Sequence, residues 1–560
     1  MKLSLTAWTV VKPESLMSNH TFIVSPRVQS LYNTYKMKNI ITRANAKITV
    51  GNAAALLAAS YFASAILGLL RDRLLAAQFG IGGTLDAYFA AFSMPDLMFY
   101  LLVSGALSVT FIPVFTERLV HHNKKSAWEL ASSIFNFLGI ITLIGSVLIF
   151  VFADQLIYVV APAFDAARHD TAVELTRIIA LNPFLFSLST VFASMQQTFG
   201  RFFFYALAPV IYNLGIIFGI VVLTPIYGIT GVAVGVLAGA GLQLIVQSLG
   251  LVGLGFKYEP KIFWKNKGFR KVLVLIVPRS LNEGIIYLTA VIERAIASGL
   301  AVGSITAYQY GFNIKNVPIA LIGTAIATAV FPTISHQAAS SNTSGLKSQM
   351  RKTVEALLWM VIPVAALTLI LRGYIVRLVL GFGDPTTAAV LGWFAVAIIF
   401  QSLIRSVSRV FYAYQDTKTP LLVSLATITL NVILAIVLVR RFQVEGLAMA
   451  QSAVAAFEAI ALLVLLRKYN AFFINKKLFI HIVKIILGTV FMTAVTYVGV
   501  SRILPLFAGD QGFWILAPKF LTVCLIAGIS YLGISIVLKL PEARMVTDKV
   551  HKAIFRADKF

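Results

Sequence analysis

The chain has 560 residues, 59% of them hydrophobic and 12% charged, with a mean hydropathy of +0.86 and a formal net charge of +25. That composition excludes a soluble multidomain protein. The excess of Lys and Arg sits in short connections, where it sets orientation in a membrane rather than marking a nucleic-acid partner, and the lone Cys524 excludes disulfides and Cys-rich metal sites.

Residues 1–48 are polar and basic, without a continuous apolar core ahead of a small-residue cleavage site, and read as a cytoplasmic tail. Apolar runs of about 20 residues follow, each long enough at 1.5 Å per residue to cross a hydrocarbon core of about 30 Å. Their Leu, Ile, Ala and Gly content favours helices over the short alternating strands of a barrel. The fold class is therefore all-α: a polytopic membrane protein of about fourteen spans, near 49–70, 85–115, 128–153, 172–198, 204–224, 228–250, 272–300, 303–333, 353–380, 388–412, 420–440, 444–466, 480–501 and 513–538. With the amino terminus inside, roughly thirty Lys and Arg fall on the cytoplasmic side and fewer than about ten on the other. Arg440-Arg441 is the exception, and both termini are expected in the cytoplasm.

The first two spans meet at a turn that carries Arg71, Asp72, Arg73 and Asp86. Fixed charge at membrane depth is costly unless it faces a partner or a wet cavity, although Arg71 and Arg73 also have the option of reaching the headgroups as anchors. Pro95 lies inside the second apolar run and should kink or break it, and broken helices often mark transport sites.

An internal repeat relates the halves. Ala106-Leu-Ser-Val-Thr-Phe-Ile-Pro113 matches Ala325-Ile-Ala-Thr-Ala-Val-Phe-Pro332 at an offset of 219, and Gln197-Thr198 with Asn213 matches Gln415-Asp416 with Asn431 at 218. Six spans per repeat preserve orientation, so the expected organisation is an N-lobe, 49–250, and a parallel C-lobe, 272–466, around a central cavity. Two extra spans lie at 480–540 and a cytoplasmic tail at 541–560. Gly231, Gly235 and Gly239 form a small-residue ridge for close helix packing.

On span seven, Arg279, Glu283, Glu293 and Arg294 fall within a sector of about 100° and are expected to line the cavity, or else to form a static ion-pair network, since Arg279 and Glu283 are four residues apart. Span eight adds Asn313, Lys315 and Asn316 before Pro318. Arg405 and Arg409 suit anionic lipid as well as transport, and Glu458 suits a proton, a sodium ion or a paired cation. No catalytic or metal motif is present, so neither an enzyme nor a cofactor is expected.

The string Leu-Gly-Leu-Leu-Arg-Asp72, then Phe79-Gly80, Asp86-Ala-Tyr-Phe-Ala-Ala-Phe92, Pro95 and Gly105-Ala-Leu-Ser-Val-Thr-Phe-Ile-Pro113, resembles the MurJ (MviN) lipid II flippases of the multidrug/oligosaccharidyl-lipid/polysaccharide exporter superfamily. So do Ala161-Pro-Ala-Phe-Asp165, Arg201-Phe202 and Phe411-Tyr-Ala-Tyr-Gln-Asp-Thr-Lys-Thr-Pro420, and the resemblance covers about residues 50–540. It implies a flippase of the bacterial inner membrane that moves a polyprenyl-diphosphate-linked peptidoglycan precursor, with membrane lipids and cell-wall synthesis proteins as further partners.

Family arginines thought to hold the diphosphate are absent at Ala65, Phe99 and Asn313, and a family glutamate is Ser104. The expected anion site is accordingly Arg71, Arg279, Arg294, Lys315 and Asn313, with Asp72, Asp86, Glu283 and Glu293 as gating or ion-pair groups. The alternatives are another lipid-linked glycan, or a non-transporting scaffold of the same fold; a drug pump would call for a more acidic cavity.

Overall fold

The structure is a computed structural model that describes residues 44–45, 49–104, 107–121, 124–507, 509–510 and 512–555, so nearly all of the expected tail, 1–48, lies outside the described residues. These residues are helical almost throughout and include no strand. Among the described residues, eleven helices are long and apolar enough to cross a membrane, and one of them, Lys418–Tyr469, holds both expected spans eleven and twelve around a bend at Gln443 (φ 50°, ψ −138°). Arg440 and Arg441 sit just before that bend, at the connection between the two spans, and remain the exception to the charge pattern.

Two expected spans fall outside the eleven, for different reasons. Span seven is one continuous 32-residue helix, Lys267–Ser298, but carries charges along its length. Span two is broken into Gly83–Ala91, Ser93–Phe99, π-helical turns at Tyr100–Ser104 and Leu107–Phe111, and Ile112–His121. The break precedes Pro95, which has no N–H for the carbonyl four residues back. That carbonyl, of Ala91, is instead approached at 3.5 Å by the Thr176 hydroxyl of a neighbouring helix, the kind of substitute acceptor pairing that membrane depth demands.

The repeat is visible in the backbone. Gly228 (φ 57°, ψ −140°) and Gln443 turn the chain in the same unusual conformation at an offset of 215. Three residues later, a Cβ on Gly231 would press on the backbone of Leu223, and one on Gly446 on that of Leu438, again 215 apart. The π-turn starting at Tyr100 recurs at Ile319, offset 219. The turn after span four pairs Gly200 (φ 72°) with Gln415 (φ 58°), so the Gln197/Gln415 sequence match is displaced by three residues from the structural one.

Small residues let the helices approach. Gly215 and Gly219 face Gly235 and Gly239 so closely that a Cβ at Gly215 would lie 2.3 Å from the Gly239 Cα.

Packing of the two halves differs between the two ends of the bundle. At the end holding residues 80–82, 299–303 and 381–384, one apolar core runs across both halves, joining Leu75 and Ala76 to Val376 and Leu380, and Tyr88 and Phe89 to Ile305 and Tyr310. At the end carrying the basic connections the cores are separate. Phe111, Phe115 and Trp128 form one, and Leu357, Val407 and Phe411 another. Span seven crosses between the halves: Phe269, Val272 and Ile276 belong to the first half's core, whereas Ala297 lies in the shared one.

Candidate functional site

A cavity of about 300 Å³ lies between the halves, lined by Arg71, Asp96, Arg294, Gln309 and Asn313 together with a wall of Tyr and Phe side chains. Its charged and amide side chains are joined in one chain of hydrogen bonds. Arg71 donates from Nε (3.0 Å) and Nη2 (2.7 Å) to Asp72 Oδ1, and Asp72 Oδ2 accepts from Asn313 Nδ2 at 2.9 Å. Asn313 Oδ1 accepts from Gln309 Nε2 at 2.9 Å, and Gln309 Oε1 from Arg294 Nη2 at 3.2 Å. Arg294 Nη1 donates to Ser93 Oγ (3.0 Å) and the Tyr287 hydroxyl (3.2 Å), and that hydroxyl donates to Asp96 Oδ2 at 3.0 Å.

Helical spacing explains the assembly. Gln309 and Asn313 are four residues apart, and Tyr287 and Arg294 seven, so each pair shares one helix face. Arg71 sits where span one reaches Asn213, whose Oδ1 lies 3.5 Å from Nη1. Away from bulk water, two guanidiniums facing one cavity attract an anion far more strongly than they would on a surface.

Beside the cavity, Asp86 closes the shared-core end. Its carboxylate, buried in the first half, accepts from Gly303 N (2.6 Å), Thr306 N (2.8 Å) and Thr306 Oγ1 (2.7 Å) at the amino terminus of helix Ser304–Pro318 in the second half. This is a helix cap supplied from the opposite lobe, and it places a negative charge at the positive end of the helix dipole. Arg73 adds a second tie, from Nη1 to the Leu378 carbonyl at 3.1 Å.

Arg71, Arg294 and Asn313 are thus brought together, with Asp72 between the first and the last. Lys315 and Glu293 are placed elsewhere. The fully buried Lys315 ammonium lies 4.5 Å from the Phe312 ring and 4.2 Å from that of Phe394, and donates to Gln451. Glu293 accepts from the Tyr308 hydroxyl at 2.9 Å in the same interior. Glu283 is half-buried on span seven, next to Gly284, which packs against Leu101. The side chain of Arg279 lies outside the described residues. Arg405 is exposed, Arg409 lies over the Phe331 ring at 5.3 Å, and Glu458 is within 3.5 Å of the Ser424 hydroxyl.

Sequence reasoning did not single out Asp96, Tyr287 and Gln309 as site residues. Asp96 carried a signal, a carboxylate directly after the span-breaking proline; the other two are uncharged and carried none. Phe99 and Asn313, where the family resemblance calls for arginine, both line the cavity.

A family model described as "Lipid II flippase MurJ" matches residues 75–517. A Rhizobium tropici protein named "Probable lipid II flippase MurJ" is 27% identical over 443 residues, covering 75% of this chain and 80% of its own, and the protein of that name from Bdellovibrio bacteriovorus is 29% identical over 439 residues, covering 74% and 82%. A solved structure titled "Lipid II flippase MurJ, inward closed conformation" superposes with a TM-score of 0.74 at 25% identity, over 87% of this chain and 99% of that one. An inward-facing multidrug resistance MATE transporter of the MOP superfamily shares the fold alone, with a TM-score of 0.63 at 14% identity over 73% of this chain and 95% of that one.

Proposed function

The chain belongs to the MurJ lipid II flippase family, and from that premise we propose that it carries lipid II from the inner to the outer leaflet of a bacterial inner membrane by alternating access. The observation that carries this reading is the cavity between the halves, in which Arg71 and Arg294 are held on one hydrogen-bonded chain. The protein is a transporter and uses no covalent chemistry: the diphosphate binds to guanidinium groups while the lipid tail stays in the bilayer.

In this reading Arg71 and Arg294 hold the diphosphate and Asn313 lies beside it. Asp72 competes with the substrate for Arg71. A diphosphate oxygen that takes the Arg71 N–H groups weakens the hold on Asp72, whose other oxygen ties Asn313 of the second half. Release on the far side requires the Asp86 latch to open, and reclosure restores three hydrogen bonds to a buried carboxylate. The basic connections and both termini are assigned to the cytoplasm, where the separate cores of the two halves leave them free to part. Lipid II and membrane lipids are its partners, and cell-wall synthesis proteins supply the one and consume the other side's product.

A second reading, transport of a different lipid-linked glycan, is favoured by Phe99, an apolar ring on the cavity wall at a position where the family resemblance calls for arginine. Complementation of a MurJ-depleted strain decides between them. The wild-type chain restores growth if lipid II is its cargo, and Arg71→Ala and Arg294→Ala each abolish rescue; growth with the double variant would reject the proposed site.

A further inference from the structure

Asp96 lines the cavity, and unlike Asp72 it is not bonded directly to a guanidinium that binds the diphosphate in this reading. Its Oδ2 accepts the Tyr287 hydroxyl at 3.0 Å, whereas Oδ1 accepts no hydrogen bond among the described residues. A plain counter-ion for Arg294 would sit directly on the guanidinium. Instead the guanidinium N–H groups go to Ser93, Tyr287 and Gln309, and Asp96 makes no ion pair among the described residues. Tyr287 stands between the two charges and is stacked on Tyr100, with ring centroids 4.7 Å apart.

Around this carboxylate the cavity wall is aromatic: Phe92, Phe99, Tyr100 and Tyr212 line the same space. A carboxylate with an open oxygen among aromatic side chains repels the diphosphate and suits a cation, because the oxygen accepts N–H donors and aromatic quadrupoles attract positive charge. Of the cations that fit, a primary ammonium matches best. It brings three donors for one or two acceptors and needs no planar slot, unlike a guanidinium.

We propose that Asp96 and its aromatic surround form an ammonium subsite that reads a primary amine on the peptide branch of the headgroup, beside Arg294 and separated from it by the Tyr287 hydroxyl. This rests on the flippase reading and deepens it: the cavity selects a headgroup that carries both signs of charge, and rejects a diphosphate lipid of otherwise similar size without the amine.

The test uses the full chain in vesicles and two probes, lipid II with a free side-chain amine in its peptide and the same lipid with that amine acetylated. Wild type moves the free-amine lipid about tenfold faster, the size of one charge-assisted contact, and Asp96→Asn brings the two rates together. Equal rates in wild type overturn the subsite while leaving the flippase reading intact, and need no variant to fold. A preference retained by Asp96→Asn also overturns it. Transport of neither lipid by wild type overturns both.

Discussion

Asp72 in span one and Asn313 in span eight are joined by a 2.9 Å hydrogen bond that crosses from one half of the molecule to the other, while the second oxygen of the same carboxylate carries both Nε and Nη2 of Arg71. One side chain therefore connects a guanidinium of the cavity to the closure of the two lobes. Coupling between binding and conformation requires such a differential contact, present in one state and weakened in the other.

Asn313→Ala removes the interlobe tie without removing a charge. A hydrogen bond to an ionised group contributes about 1.5–3 kcal/mol, so the variant should populate the opened state roughly tenfold or more above wild type. Amide hydrogen exchange over residues 299–306 reads this directly, with faster exchange expected in Asn313→Ala.

Asp86→Ala should be the more damaging change. It strips Gly303 N, Thr306 N and Thr306 Oγ1 of their acceptor inside a buried contact, where each donor left unmatched costs about 1–3 kcal/mol. Growth rescue should be lost and thermal stability in detergent should fall, with Asp86→Asn intermediate because its amide oxygen still accepts.

Away from the bilayer, Asp416 makes a pH prediction. Partial burial disfavours its charge, but hydrogen bonds from Thr419 N and Oγ1, Tyr469 and Lys468 outweigh that and hold its carboxyl well below the usual carboxylate range. A depressed carboxylate contributes stability that is present above its unfolded value, near about pH 4, and lost as pH falls through its own lower one. Asp416→Asn should therefore lower the melting temperature by a constant amount from pH 7 to 5, with the gap to wild type closing only in stronger acid.

Much of the fold was legible because membrane spans announce themselves by length and hydropathy, and the broken span was legible because Pro95 has no N–H to give. Arg71, Asp72 and Arg294 stood out as charges at membrane depth. Sector arithmetic on span seven was less discriminating: Glu293 and Arg294 are neighbours 100° apart on the helix, and that turn is enough to send one into the second half's interior and the other into the cavity. Lys315 shows the same limit, since a helix wheel does not say which face has Phe312 and Phe394 waiting for the ammonium. The cap from Asp86 to Thr306 joins positions 220 residues apart and leaves no local pattern to read.

In the proposed mechanism two guanidiniums in an interlobe cavity, Arg71 and Arg294, hold a diphosphate lipid as it crosses the membrane. The most direct measurement is lipid II translocation by the purified chain in vesicles, comparing wild type with Arg71→Ala, Arg294→Ala and the double variant. Each single change should slow translocation by at least about tenfold, the loss expected for one charge-assisted phosphate contact, and the double variant should be inert. A double variant that moves lipid II at the wild-type rate would contradict the account.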